Sequence, residues 1–219
     1  MLQLHYYPSN ASIAPHILLE EMGVPFELKL VDRTRNAHKS PEYLELNPNG
    51  LIPVLIDGDL VLYETAAIVL HLVDSPAGAA FAPKIGTHAR AHFYKWLVWF
   101  TNTVQASLIT YFYPDRFLDD ADEASAAPLK QSAQRRVGGY LQQLDDAFAR
   151  HGQPWVLGGQ YSAADIYAFM LCRWTRGFAG EAARPAREFA HLGPFLQRML
   201  ERPAVQRVVD KEALKPPIV

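Results

Sequence analysis

Glu64-Thr65 stands between a short apolar run at 60–62 and a stretch with helical spacing. A helix that opens there offers unpaired N–H groups and the positive end of its dipole, and both attract a carboxylate. The Thr65 hydroxyl donates to the same group, and Glu64 accepts from an ammonium. The pair suits a ligand end that carries both charges. A second cluster is aromatic. Trp99, Tyr111, Phe112 and Tyr113 fall with Thr103 in one helical stretch, and Trp174 and Phe178 lie further on. Such rings favour a flat apolar ligand. Ser162-x-x-Asp165 before an apolar run is a capping box, and its work is to start a buried helix. His88 and His92 have i,i+4 spacing without an acidic partner, so no metal is expected. Cys172 follows Met170-Leu171 in an apolar segment and reads as an inert buried thiol.

These residues must be held by two kinds of element. Residues 2–7 read as a strand stopped by Pro8. Ser12 then reads as an N-cap with Pro15 in the first turn, and Ile13, Ile17, Leu18 and Met22 follow at helical spacing up to Gly23. Residues 26–31 alternate as a strand, and 40–46 fit a short helix. The runs 54–56 and 60–62 flank Asp57-Gly58-Asp59, a hairpin signal. A third helix covers 64–74. The order is βαβαββα. The small residues 75–80 read as a linker, placed at 77–86 between a domain of residues 1–76 and one of 87–219. Beyond it the pattern is helical, with helices expected at 87–108, 128–150, from 162 to 172, and at 193–202. Residues 121–127 read as a solvated loop or helix end.

Composition narrows the classes. The chain has 219 residues, 49% of them hydrophobic and 20% charged, which are ordinary globular values. Its 21 Lys and Arg against 23 Asp and Glu leave no basic stripe for nucleic acid or an anionic membrane. One cysteine excludes an internal disulfide framework and a multi-cysteine zinc site. The N-terminus lacks the pattern of a signal peptide, and the apolar stretch 93–100 is interrupted by Lys95, so a cytoplasmic location is expected.

Three motifs carry a resemblance over nearly the whole chain: Leu46-Asn47-Pro48-Asn49-Gly50-Leu51-Ile52-Pro53-Val54-Leu55, Leu62-Tyr63-Glu64-Thr65-Ala66-Ala67-Ile68, and Tyr161-Ser162-Ala163-Ala164-Asp165-Ile166. In this order and spacing they resemble the soluble glutathione transferases, of bacterial and plant type. The resemblance implies a fold of class α/β plus all-α, a thioredoxin-like N-terminal domain followed by an all-helical C-terminal domain. It implies a cis bond at Ile52-Pro53, which turns the backbone of Ile52 toward the peptide glutathione. It implies that Glu64 and Thr65 hold the γ-glutamyl end of glutathione, although the family more often has Ser at the second position. His38 and Lys39 are implied to hold the glycyl carboxylate, one by a hydrogen bond and one as a point charge. It implies a homodimer that uses glutathione as co-substrate, with the electrophile beside the sulfur between the domains, against Trp99, Thr103, Tyr111, Phe112 and Trp174.

A glutathione transferase has to ionise a thiol whose ordinary pKa is near 8.5. Lowering it by about two units needs about 2.7 kcal/mol of preferential thiolate stabilisation. A hydrogen-bond donor between the first strand and first helix, aided by the helix N-terminus, supplies that. The candidates rank as Asn10 and Ser12, then Ser9, then Tyr6; Tyr7 points the other way along the strand. Cysteine-type relatives place their cysteine where Ala11 stands, and their helical His where Gln105 stands, so the cysteine mechanism is not expected. The leading expectation is transfer of the glutathione thiolate to a small apolar electrophile. Two alternatives stay open: a non-catalytic ligand-binding or protein-docking module on this fold, and a glutathione-dependent disulfide or peroxide reductase, which Ser9-Asn10 loosely resembles.

Overall fold

The computed structural model describes residues 1–119, 122–179 and 183–219. The chain divides into two compact units, Met1–Lys84 with Leu200–Lys215, and Ile85–Met199 with Pro216–Val219. The chain-order domains expected above, 1–76 and 87–219, therefore differ from the compact units in the placement of residues 200–215.

The first unit follows the expected order: β1 (Leu2–Tyr6), α1 (Ile13–Met22), β2 (Phe26–Leu30), α2 (Pro41–Leu46), β3 (Val54–Asp57), β4 (Leu60–Tyr63) and α3 (Thr65–Asp74). The sheet runs β2-β1-β3-β4, with β1 parallel to β2 and the other pairs antiparallel. β3 and β4 join through the two-residue loop Gly58-Asp59, and Gly58 takes φ 59, which glycine alone adopts at no steric cost. Leu4, Leu18, Val54, Leu55, Ile68 and Val69 are fully buried and hold α1 and α3 on the sheet. This is the thioredoxin-like arrangement expected. Gly23 closes α1 at φ 64.

The second unit is helical. Among its described residues the only β-type pairing is an isolated bridge between Trp155 and Gly158. The helix expected at 87–108 reaches further and is not uniform: α4 (His88–Trp99) passes through a π-helical segment, Phe100–Gln105, into α5 (Ala106–Phe112). Next come α6 (Glu123–His151), α7 (Ala163–Trp174) and α8 (Leu192–Leu200). α6 begins before Pro128, because Asp122 and Ser125 cap it reciprocally; in the loop or helix end expected at 121–127, residues 123–127 are the helix start with Asp122 as their cap, and residue 121 lies outside the described residues. A proline there removes one N–H without ending the helix. Ser162 precedes α7 as expected. The Asp165 carboxylate accepts from the N–H and hydroxyl of Ser162 at 2.8 and 3.0 Å, and from the N–H of Val156 at 2.7 Å. One further helix, α9 (Pro203–Lys211), has no counterpart in the sequence reading and belongs to the first unit. No helix of the described residues is long and apolar enough to cross a membrane.

Candidate active site

The sheet register decides which loops meet. β1 ends at Tyr6, opposite Leu30 at the end of parallel β2. His5 pairs with Val54 at the start of antiparallel β3, and Val54 pairs with Tyr63 at the end of β4. Parallel neighbours end together, and an antiparallel strand starts where its neighbour ends. Four segments therefore leave the same end of the sheet: the turn 7–12, the loop from Val31, Ile52-Pro53, and Glu64-Thr65.

The turn is built first. The N–H of Asn10 donates to the Tyr7 carbonyl at 3.1 Å, with Pro8 second and Ser9 third in the turn. Ser9 has φ 67, the left-handed value that this kind of turn demands at its third residue and that glycine usually supplies. Asn10 Oδ1 accepts from the N–H of Ala11 at 2.7 Å, which fixes the side-chain amide and leaves Nδ2 as its donor end. Asn10 and Ser9 are half-buried.

Ser12 corrects the sequence reading. Its side chain makes no capping bond to α1. The hydroxyl is fully buried and donates to the carbonyl of Tyr7 at 3.1 Å, so it braces the turn from inside. That bond engages the Ser12 hydroxyl within the turn. Tyr6 and Tyr7 do face opposite ways. Tyr6 lies against the His16 ring on α1, centroids 6.1 Å apart. Burial, and secondarily the Glu212 carboxylate, raise its pKa, so Tyr6 keeps its proton. Tyr7 packs on the other side with Val31, Tyr43, Ile52 and Val54.

The remaining segments bring a helix N-terminus, a cis-proline bond and a lysine ammonium to the same end of the sheet. Glu64 stands at φ 73 ahead of α3, a strained value for a residue with a side chain. It does not cap the helix, so the first N–H groups of α3 lack a side-chain partner, with the buried Thr65 among them. α1 is also uncapped by a side chain, but its Ile13 and Ala14 N–H groups donate to the Asn10 and Ala11 carbonyls at 3.1 and 3.4 Å and Pro15 has none, so that end offers its dipole; Ser40 caps α2. The Ile52-Pro53 bond is cis. Lys39 lies over the loop 47–50, its ammonium donating to the Asn49 carbonyl at 3.3 Å. Gly50 makes that approach possible. A Cβ there would meet the His38 carbonyl at 2.7 Å and Lys39 Nζ at 2.8 Å. Asn47 holds the loop through the Leu51 carbonyl at 2.8 Å. Among the described residues no three His, Cys, Asp or Glu side chains gather as metal ligands.

Two family models match this chain: the glutathione S-transferase N-terminal domain over residues 2–74 and the glutathione S-transferase C-terminal domain over residues 97–203. The chain belongs to the glutathione S-transferase family. Glutathione S-transferase GstA of Escherichia coli O157:H7 is 28% identical over 98% of this chain and 100% of its own length. A glutathione transferase homologue from Sulfitobacter, solved with glutathione bound, superposes with a TM-score of 0.86 at 26% identity, covering 98% of this chain and 99% of that one. The glutathione S-transferase from Xylella fastidiosa gives 0.85 at 29% identity, over 98% and 100%.

In this transferase the five aromatic-pocket candidates split. Tyr111, Phe112 and Trp174 form one cluster. Phe112 meets Tyr111 at 5.0 Å and Trp174 edge-on at 6.4 Å, and Tyr111 continues to Phe178 at 4.7 Å. Trp99 sits elsewhere, against Trp96, Phe100 and Tyr140. With Phe100, Tyr140 and Cys172 it lines an apolar cavity of about 10 Å³, room for one water at most. Thr103 lies half-buried in the π-helical segment between them. Burial, with a lesser push from Asp145, drives the Cys172 thiol up to about 12, so it stays a thiol.

Two residues of the site region escaped the sequence reading. His16 on α1 and Glu212 beyond α9 are buried together, with Nδ1 and Oε1 2.8 Å apart. Glu212 also accepts from the N–H of Ser9 at 3.0 Å. No spacing rule links residues so far apart in the chain.

Proposed function

We propose that this transferase ionises glutathione on the turn 7–12 and joins its sulfur to a carbon of a small apolar electrophile. The thiol proton leaves to solvent, the C–S bond forms, and the electrophile's leaving group departs with the electron pair of the broken bond. The observation that supports this is the pair of helix N-termini, of α1 and α3, left uncapped by side chains at the same end of the sheet. Each favours negative charge by about 0.3–1 kcal/mol, more when partly buried. The α3 end takes the γ-glutamyl carboxylate with Thr65, and Glu64 takes its ammonium. His38 and Lys39 take the glycyl carboxylate, and Ile52-Pro53 offers backbone to the peptide. The α1 end takes the thiolate. Asn10 is the donor of choice, because its amide is already oriented by the N–H of Ala11. An N–H bond to a charged partner contributes about 1.5–3 kcal/mol, which matches the roughly two units of pKa required. Ser9 follows as second donor and Tyr6 as third. Tyr111, Phe112 and Trp174 take the electrophile, with Thr103 at its margin, while Trp99 packs apart from them. The protein works as a cytoplasmic homodimer without a metal, with residues 1–76 binding glutathione, 77–86 linking, and 87–219 binding the electrophile.

Titration of the glutathione-bound protein, followed by thiolate ultraviolet absorbance, tests this. Ionisation about two units below the free thiol value near 8.5 is expected. Binding without that shift defeats activation, and absence of binding defeats the glutathione site.

A further inference from the structure

The turn that carries Ser9 and Asn10 is not held by its own neighbourhood alone. Ser9 takes φ 67, a value that disfavours any residue with a Cβ, so something outside must hold it there. The bond from its N–H to Glu212 Oε2, 3.0 Å across 203 positions of sequence, is one constraint from outside the turn on that residue's backbone. Glu212 is itself constrained. Its residue is 3% exposed, and Oε1 lies 2.8 Å from His16 Nδ1. A carboxylate only accepts, so the proton of this bond belongs to Nδ1. The His16 ring is wedged edge-on between Tyr6 and Phe26, at 6.1 and 5.8 Å. α9, which brings Glu212 into place, is fastened to α1 by Arg207 and Lys211 on Glu20 and by Arg202 on Glu21. From Ser9 the hydrogen bonds continue into the donor: Asn10 N–H to the Tyr7 carbonyl, and Ala11 N–H to Asn10 Oδ1.

We propose that Glu212 is a positioning residue for thiol activation, holding the Ser9 amide and through it the turn that aims the Asn10 amide at the glutathione sulfur. The inference rests on the reading of turn 7–12 as the thiol site. It assigns Glu212 a geometric task. An anion beside a developing thiolate opposes it by charge, and both carboxylate oxygens here are occupied by donors that face away from solvent. Removal of the acceptor therefore raises the thiolate pKa, and removal of the charge alone does not.

The test compares wild type, Glu212→Ala and Glu212→Gln in the glutathione-bound thiolate titration, with KM for glutathione, kcat and thermal unfolding measured alongside. In Glu212→Ala the thiolate pKa is expected to rise by about one unit, a tenfold loss of thiolate at a pH below both values. kcat falls about as much, while KM for glutathione moves less than threefold. Glu212→Gln keeps an acceptor oxygen and recovers most of the loss. A folded Glu212→Ala protein whose bound glutathione ionises at the wild-type pH overturns the proposal and reduces Glu212 to a stabiliser of the fold. If Glu212→Ala does not fold, Glu212→Asp decides by the same readout. Its carboxylate is drawn back by one methylene, and an unchanged thiolate pKa overturns the proposal there too. A wild-type protein that binds glutathione without lowering its pKa fails at the control, which marks failure of the thiol-site reading rather than of Glu212.

Discussion

Asp165 and Glu212 are both buried carboxylates that hold backbone N–H groups, and they differ in reach. Asp165 serves partners within nine positions, Ser162 and Val156, at the start of α7. Glu212 serves Ser9 and His16, 203 and 196 positions away, beside the turn assigned to the thiol. The first finishes a local structure and leaves no donor for a ligand. The second pins a strained turn whose neighbouring side chain, Asn10, is the proposed thiol donor. Short reach goes with stability here, and long reach with the geometry of the site.

The contrast can be broken by substitution. The largest effect belongs to Asp165→Ala, which strands two buried N–H groups and is expected to cost about 3 kcal/mol of unfolding free energy. The folded fraction should ionise bound glutathione as wild type does; a shifted thiolate pKa would erase the distinction. A smaller effect belongs to Asn10→Ala. It should raise the thiolate pKa by about one unit and lower kcat/KM about tenfold, with the melting temperature close to wild type. The pH dependence of stability sharpens the Asp165 side. Burial pushes its pKa up to about 7, against its three hydrogen bonds, from 3.8 in an exposed chain. The folded protein then binds more protons than the unfolded chain between those values. Stability falls as pH rises through that window and levels off above it. The melting-temperature gap between wild type and Asp165→Asn should therefore widen on acidification from neutral pH, as calorimetry would detect. The smallest effect belongs to Arg207→Ala, which removes one half-exposed partner of Glu20. It should cost under about 1 kcal/mol in chemical denaturation.

Much of this was legible in the sequence, for reasons that local rules explain. The strands, the hairpin at Gly58-Asp59, the Gly23 stop and the Ser162–Asp165 box all follow from residues within a few positions of one another. So does Glu64-Thr65, where a strand ends and a helix begins. The misreadings mark where two local rules compete or where the partner is distant. Pro128 resembled a helix start, but Asp122 and Ser125 had already capped α6. Ser12 had the right type and place for a cap, yet its hydroxyl turned back to Tyr7. Trp99 shares a helical stretch with Tyr111, but the π-helical segment at 100–105 intervenes and it packs with Tyr140 instead. α9 offers only Ala204, Val205 and Val208 as a buried stripe, too brief to stand out by periodicity. Glu212, in a charged tail, has the look of a solvated residue until the fold brings His16 beside it.

The inclusion of residues 200–215 in the first compact unit also has a temporal meaning. A ribosome delivers the sheet, the turn 7–12 and both uncapped helix ends early. At about 5–20 residues per second it then needs on the order of ten seconds to produce 85–199 before α9 and Glu212 emerge. During that interval the nascent first 84 residues hold a sheet whose turn has no Glu212 to rest on. The proposed thiol-binding end is thus begun first and finished last, and a polypeptide released before residue 212 would carry every glutathione-contacting candidate without the support of the turn.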